Sequence, residues 1–389
     1  MPKPLPTSPS EGTVIVGMSG GVDSAMAALL LRDAGYSVQG LFMSNWDDDD
    51  AYCTAAADFQ DARRVCEILG IALHRVSFAE QYRERVFSLF LREYAAGRTP
   101  NPDVLCNREI KFGICLDYMQ RLGADWIATG HYARIRHSRP YPELLKAVDE
   151  GKDQSYFLHS VASSALSKTL FPLGGLQKTQ VRAMAHAAGL PVFDKPDSTG
   201  ICFIGERPFQ EFLSQHLRTD PGPIETADGR VLGEHAGLAL YTLGQRSGLK
   251  IGGRAGAAAA PWYVADKIMA RNALIVVQDQ NHPLLLSDSF NVEQMHWINP
   301  DDAGAQGACA VKTRYRQNDL ACVLRASGDD GWYVELDRPA RAVTPGQYAV
   351  FYRGERCLGG GIIASRFNSE LAPAAGGITY NSLFSAEGS

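Results

Sequence analysis

Eight consecutive residues, Gly17-Met18-Ser19-Gly20-Gly21-Val22-Asp23-Ser24, combine what a phosphate site needs. Gly20 and Gly21 can take positive φ and let the backbone approach a ligand closely. Ser19 and Ser24 supply hydroxyl donors, and a helix starting at Ser24 would add free N–H groups and a positive dipole end. The loop is not GxxxxGK[ST], since no lysine follows the glycines, and it lacks the third glycine of the dinucleotide fingerprint. Two cysteines are the other candidates for chemistry. Cys106 lies three residues after Asp103 in Thr99-Pro100-Asn101-Pro102-Asp103-Val104-Leu105-Cys106-Asn107-Arg108-Glu109-Ile110-Lys111-Phe112, at an expected helix start with two cations close behind. A helix N-terminus and cations lower a thiol pKa, as a nucleophile requires; the same spacing equally suits a buried structural cysteine. Cys202 sits between Gly200 and Gly205 in Asp197-Ser198-Thr199-Gly200-Ile201-Cys202-Phe203-Ile204-Gly205, which reads as a mobile loop.

These residues need elements to carry them. The apolar run Thr13–Val16 predicts a buried strand before the glycine loop, and Ser24–Arg32 a helix stopping at Gly35. Tyr36–Ser44 and Ile71–Phe78 read as strands, Thr54–Leu69 and Gln81–Ala95 as helices, and Trp126–Thr129 as a short strand ending at Gly130-His131. Strands alternating with helices predict an α/β fold with a doubly wound parallel sheet, whose ligands sit beyond the carboxyl ends of the strands. The glycine loop, Met43 and Gly130-His131 all fall there. Asp47–Asp50 reads as a solvated loop. Lys152-Asp153-Gln154 is either a capped helix start or a polar functional triplet, and Lys178–Gly189 is an amphipathic helix with a glycine stop.

After Arg207 helices become scarce, and short β-type runs alternate with Gly, Pro and Asp turns. Gly222–Gly253 reads as a small β-rich module around Thr242-Leu243-Gly244-Gln245-Arg246, and Gly252–Ala260 as a flexible loop. From Asn281 the strands recur at barrel spacing. Lys312-Thr313-Arg314-Tyr315-Arg316 suits phosphate contact or a solvated strand face. The expected organisation is a tail over 1–12, a nucleotide domain over 13–207, a central β-rich domain over 208–280, a C-terminal barrel over 281–370 and a tail over 371–389.

At 389 residues and 45% hydrophobic content the chain can bury several cores. It has no run of 18 apolar residues. Met1–Gly12 carries four prolines and no apolar h-region, so it reads as a disordered tail rather than a signal peptide, and the protein is expected to be cytoplasmic. The net charge of −5 argues weakly against nucleic acid, although local patches rather than the total set such binding. None of the eight cysteines forms a CxxC pair, so no metal site is expected; in a reducing compartment most should be free and buried.

The glycine octet resembles the SGGxDS loop of the ATP pyrophosphatase superfamily, whose members activate an oxygen as its adenylate. Over nearly its whole length the chain also resembles the bacterial tRNA-specific 2-thiouridylase family. The resemblance rests on Gly17–Ser24, Asn101–Asn107, Thr129-Gly130-His131-Tyr132, Lys152–Ser155, Gly200–Gly205, Thr242–Arg246 and Pro345-Gly346-Gln347. It implies an adenine nucleotide α-hydrolase-like catalytic domain, ATP (with Mg²⁺) bound by Gly17–Ser24, and Met43 and Gly130 bordering base and ribose. It implies that sulfur is placed on C2 of the wobble uridine of tRNAs for Lys, Glu and Gln, with AMP and pyrophosphate released. By the same resemblance Cys202 carries a persulfide from a sulfur-relay protein, Cys106 frees the sulfur with a Cys106–Cys202 disulfide as by-product, and Asp103 is the general base. Asn101, Pro102, Asp103, His131, Lys152, Asp153, Gln154, Arg314, Tyr315 and Gln347 are the implied tRNA contacts. A monomer is expected.

Overall fold

Val14 and Val16 bury one face of the first strand and Ile15 the other, all with no exposed surface. That two-sided burial marks a central strand in a sheet covered by helices. The computed structural model describes residues 12–46, 55–197, 209–217, 219–251, 260–304, 306–328 and 331–371. Strands β1 (Thr13–Met18), β2 (Ser37–Ser44), β3 (Leu73–Ser77) and β4 (Trp126–Ala128) form the parallel sheet, completed by the two-residue strand Thr169–Leu170. Its order is β3-β2-β1-β4 followed by Thr169–Leu170, so the chain reverses direction of growth between β1 and β4. Helix α1 (Val22–Asp33), α2 (Ala55–Leu69) and the Lys178–Ala187 helix pack with Val14, Val16 and Phe42 on one face. Ile15, Leu41 and Ile127 face the other side, under the aromatic residues Tyr82, Phe87, Phe90 and Tyr94. Each fully buried Val or Ile on these faces contributes about 1.5–3 kcal/mol of transfer free energy.

Two local departures from the sequence reading have physical causes. The expected helix Gln81–Ala95 begins at Ala79 and passes through a π-helical stretch, Arg83–Phe87, which turns Val86 and Phe87 into the core. Gly20 takes φ +75°, but Gly21 does not: it sits at φ −100°, extended, as the N-cap of α1, which begins at Val22.

The barrel captures part of the nucleotide domain. A hairpin of β5 (Arg134–Arg136) and β6 (Glu143–Leu145), which sequence reading missed, leaves the region of β4 and joins the C-terminal sheet. The central region is a four-stranded sheet of Gly222–Thr226, Val231–His235, Tyr263–Ile268 and Ala273–Val277, the first and last of these parallel. The C-terminal strands are Leu286–Trp297, Gly307–Lys312, Leu320–Ser327, Gly331–Arg341, Tyr348–Arg353 and Arg356–Phe367. Pairing of Leu286–Trp297 with both Gly331–Arg341 and Arg356–Phe367 closes these six into a barrel. Leu144 and Leu145 on β6 then pair with Cys357 and Arg356. One continuous core runs from Ile15 and Cys106 through Leu238 and Val264 to Tyr348 and Tyr352, so the three regions share buried contacts. Among the described residues no helix is long and apolar enough to cross a membrane.

Candidate active site

The glycine loop joins β1 to α1 at the carboxyl edge, beside the switch point between β1 and β4. At Gly20 a β-carbon would lie 2.3 Å from the Asp58 carbonyl oxygen, so only glycine lets α2 pack this close. Ser24 organises the turn: its hydroxyl donates to Gly21 O at 3.1 Å and accepts from Ser19 N–H at 3.1 Å. The 12-residue helix α1 then presents its N-terminal N–H groups toward the loop. Gly130, just after β4, packs on the start of this helix; a β-carbon there would meet Asp23 C at 2.7 Å and Ser24 N at 2.8 Å. Met43, next to last in β2, lies at the same edge, half-buried. A turn with room made by absent side chains, two hydroxyls and a free helix end suits a polyphosphate.

Cations close around Asp23. Lys178, at the start of the Lys178–Ala187 helix, donates to both Asp23 carboxylate oxygens at 2.7 Å and lies 2.8 Å from Asp197. Tyr132 O–H donates to Asp23 at 2.9 Å. Lys152 and Arg182 also hold Asp197, at 2.6 and 2.9 Å. Burial alone would raise the Asp197 carboxyl, but hydrogen bonds from Lys152 and Lys178 and their charges outweigh it and hold it at about 2. Lys195 donates to Gly20 O at 3.1 Å and pairs with Asp58 and Asp61 of α2 at 2.7 and 2.6 Å, pinning the outer lip of the loop. Sequence reading passed over Lys178, Arg182, Lys195, Asp197 and Tyr132 as site residues.

The second cluster is built on Asn101. Its side chain accepts from Asp103 N–H at 3.2 Å and Val104 N–H at 3.4 Å, capping the turn Pro102–Leu105, where Pro102 takes the first helical position. Cys106 follows and opens a π-helical segment, Cys106–Ile114. It is 1% exposed and packed in the main core rather than displayed to solvent. Arg108, expected to act on that thiol, instead pairs its Nε with Glu109 at 2.7 Å. Desolvation raises the Asp103 carboxyl, opposed by the Lys111 charge. His131 is buried against Phe112 and Phe171, with Nδ1 2.8 Å from Thr129 Oγ1. Burial and Lys111 push its pKa well down, so the ring is neutral. Gly130 touching Asp23 and His131 touching Phe112 link the two clusters along one edge of the sheet.

The remaining residues implied as tRNA contacts carry internal bonds. Asp153 is buried and accepts from Ala147 N–H at 3.0 Å and from Ser155, with Lys312 at 3.5 Å. Gln154 accepts from Tyr132 N–H at 2.9 Å. Arg314 Nη2 donates to Leu243 O and Ala342 O at 2.8 Å and to Thr344 at 3.0 Å. Tyr315 packs on Phe157 at 4.4 Å, and Phe157 O accepts from Asn107 at 3.1 Å. Gln347 donates to Thr99 O at 2.8 Å and Pro100 O at 3.4 Å, tying the barrel to the Asn101 cap. Cys202, the Gly200–Gly205 loop and Asp47–Asp50 lie outside the described residues. Among the described residues no cluster of three or more His, Cys, Asp or Glu side chains could hold a metal ion.

A parallel sheet with this loop after its first strand, followed by a β-rich module and a closed barrel, defines the adenine nucleotide α-hydrolase-like class with two β appendages. Three family models match the chain: a tRNA methyl transferase HUP domain over residues 12–206, a tRNA methyl transferase PRC-barrel domain over 210–278 and an aminomethyltransferase beta-barrel domain over 287–363. The tRNA-specific 2-thiouridylase MnmA of Methylococcus capsulatus is 56% identical over 363 residues, 92% of this chain and 97% of that protein. That of Tolumonas auensis is 54% identical, covering 94% of this chain and 100% of its own. The Chromohalobacter salexigens enzyme of the same name is 55% identical, covering 91% and 93%. The chain therefore belongs to the tRNA-specific 2-thiouridylase MnmA family. Identity along the whole chain is more specific than the methyl transferase wording of the domain descriptions.

Proposed function

We propose that this protein is a tRNA-uridine 2-sulfurtransferase that uses ATP to replace the C2 oxygen of the wobble uridine by sulfur in tRNAs for Lys, Glu and Gln. The observation that carries this reading is the junction of the two clusters. The phosphate loop meets Gly130, and the next residue, His131, packs on Phe112 of the helical segment that Cys106 opens, so one edge of the sheet can hold ATP and a second substrate together.

In this reading Gly17, Met18, Ser19, Gly20, Gly21, Val22, Asp23 and Ser24 cradle the β- and γ-phosphates, with Met43 and Gly130 beside base and ribose. Lys178 leaves Asp23 to meet phosphate charge. Mg²⁺ would travel with the nucleotide, and Asp23, once released, is the carboxylate placed to meet it. The uridine, flipped from the anticodon stack, presents its C2 oxygen to the α-phosphorus; pyrophosphate leaves and the oxygen becomes an adenylate. Asp103, whose desolvated carboxyl is easier to protonate than usual, takes the N3 proton as general base. The terminal sulfur of a Cys202 persulfide attacks C2 and AMP departs. Cys106 thiolate then attacks Cys202 Sγ, the S–S bond to the product breaks, and the two cysteines end as a disulfide. Burial of Cys106 means that this step requires the Pro102–Cys106 turn to open toward its partner.

Asn101, Pro102, His131, Lys152, Asp153, Gln154, Tyr315 and Gln347 would form or brace the tRNA-facing surface. At Arg314, Nη2 is spent on protein oxygens, which leaves Nη1 and Nε for phosphate.

Purified protein with ATP, sulfide and unmodified tRNA should yield 2-thiouridine that retards in a mercury-containing gel. ATP–pyrophosphate exchange that proceeds without tRNA would point instead to a pyrophosphatase acting on a small metabolite. With a persulfide donor, Cys202→Ser should adenylate tRNA yet accept no sulfur, whereas Cys106→Ser should load Cys202 and stall. Thiolated tRNA made by Cys202→Ser, with sulfur on Cys106, would overturn both roles.

A further inference from the structure

Cys309 and Cys322 are register partners across the antiparallel barrel strands Gly307–Lys312 and Leu320–Ser327, with their sulfurs 3.5 Å apart. Directly opposed residues of antiparallel strands have α-carbons about 4.5–5.5 Å apart, within the span of a disulfide. Both are free thiols, so the bond at about 2.05 Å needs side-chain rotation rather than movement of the strands. The two environments differ. Cys322 is 4% exposed within the barrel core, whereas Cys309 is half-buried at its margin. A hydrogen bond from Cys322 S–H favours the Cys309 thiolate; burial opposes this, the Arg353 charge supports it, and the balance holds Cys309 below the ordinary thiol range while Cys322 is pushed up. A reachable sulfur whose ionisation is eased, 3.5 Å from a buried one whose ionisation is opposed, is the arrangement of an attacking and a resolving cysteine.

We propose that Cys309 and Cys322 form a reversible dithiol–disulfide site on the barrel wall that reacts with hydroperoxides, separate from the thiolation chemistry. The Cys309 thiolate attacks the peroxide oxygen, the O–O bond breaks, and the leaving alkoxide or hydroxide takes a proton. Cys309 is then a sulfenic acid. The Cys322 sulfur attacks the Cys309 sulfur, the S–O bond breaks, and hydroxide leaves with the Cys322 proton as water. The two thiols lose two electrons, and the peroxide gains them; a dithiol reductant reverses the change. The bridge would close the turn flanked by Lys312 and Asp319, which pair with Asp153 and Lys146 of the nucleotide domain. Oxidation would therefore stiffen the grip of the barrel on that domain.

Full-length protein treated with hydrogen peroxide, blocked with N-ethylmaleimide and digested without reduction should give a joined Cys309–Cys322 peptide pair, about 2 Da lighter than the reduced pair. Dithiothreitol should restore both as alkylated peptides. In Cys322→Ser, Cys309 should form a dimedone adduct under the same treatment, and wild type should form little. Cys309→Ser should lose the bridge and keep tRNA thiolation within twofold of wild type in reducing buffer. Recovery of Cys309 and Cys322 unbridged from peroxide-treated wild type, or of Cys309 joined to a different cysteine, would overturn the proposal.

Discussion

Lys178 and Asp23 form a two-pronged ion pair, each carboxylate oxygen 2.7 Å from the ammonium, at the mouth of the glycine loop. Lys178 is 8% exposed, so this charge is held in place before any nucleotide arrives. A cation already held at this mouth needs only to exchange Asp23 for phosphate oxygens to stabilise the negative charge that develops there.

Replacing Lys178 by Gln should lower tRNA-dependent pyrophosphate release by about 10²–10³-fold. Asp23→Ala should abolish that release and leave tRNA affinity intact, because Asp23 faces Lys178 and Tyr132 rather than the Asn101 cluster. Rapid-quench assays of pyrophosphate paired with filter binding separate the two effects. Undiminished release by Asp23→Ala would remove the loop from the nucleotide site.

Gly130→Ala tests the seam between the clusters. Its β-carbon would press within 2.7–2.9 Å of Asp23 and Ser24, so the start of α1 must shift. The expected result is a raised KM for ATP, with a stability loss of about 1–3 kcal/mol from overpacking. Wild-type ATP kinetics in this variant would show that the seam does not shape the site.

Asp103 acts as a base only when ionised, and burial raises its pKa. The acid limb of the single-turnover thiolation rate should therefore lie above the ordinary carboxylate range: the rate falls as pH drops through the raised value. Asp103→Asn should remove the limb along with most of the rate. A limb that persists in Asp103→Asn belongs to another group.

Gln347→Leu should detach the barrel from the Thr99 and Pro100 carbonyls that precede the Asn101 cap. Leaving those acceptors without partners costs about 1–3 kcal/mol. Turnover on tRNA should fall while KM for ATP holds, since the glycine loop is untouched. Arg314→Ala should in addition reduce the salt slope of tRNA binding by roughly 1 if its free nitrogens meet a phosphate; an unchanged slope would leave it as a tie to Leu243, Ala342 and Thr344 alone.

His159 supplies a pH test of stability. It is fully buried, and burial drives its pKa down to about 3, although its hydrogen bond to Tyr156 O acts the other way. Between that value and the ordinary 6.5 the unfolded chain binds a proton that the folded chain does not, so stability falls as pH falls through this window. At pH 5 this one ring should account for about 2 kcal/mol relative to neutral pH. Urea midpoints at pH 7 and 5 for wild type and His159→Gln measure it; identical acid sensitivity in the two proteins would exclude the assignment.

Much of this was legible in the chain because the signals are local. An apolar run, a glycine turn and a helix lie within twenty residues at β1 and α1, and the Asn101-Pro102 cap announces its own helix start. Lys178 carries no such signal: a lysine at the first turn of an amphipathic helix is ordinary until the fold sets that helix beside α1. The burial of Cys106 was one of the two readings its spacing allowed, and the core it shares with Phe87, Phe90 and Tyr94 decides for it. Cys309 and Cys322 fit no short cysteine motif, because strand register rather than spacing brings them together. The β5–β6 hairpin escaped notice because three-residue strands are too short to show a period, and the strand that completes them lies far along the chain.

That hairpin has a consequence for synthesis. Leu144 and Leu145 leave the ribosome more than two hundred residues before Cys357 and Arg356, the partners that complete their pairing. At about 5–20 residues per second the nascent nucleotide domain carries an open strand edge for roughly 10–40 s. The barrel is thus made after the domain whose open edge it seals. A ribosome stalled within the final strand should display a loaded but unsealed intermediate, a natural client for chaperones that shield exposed strand edges.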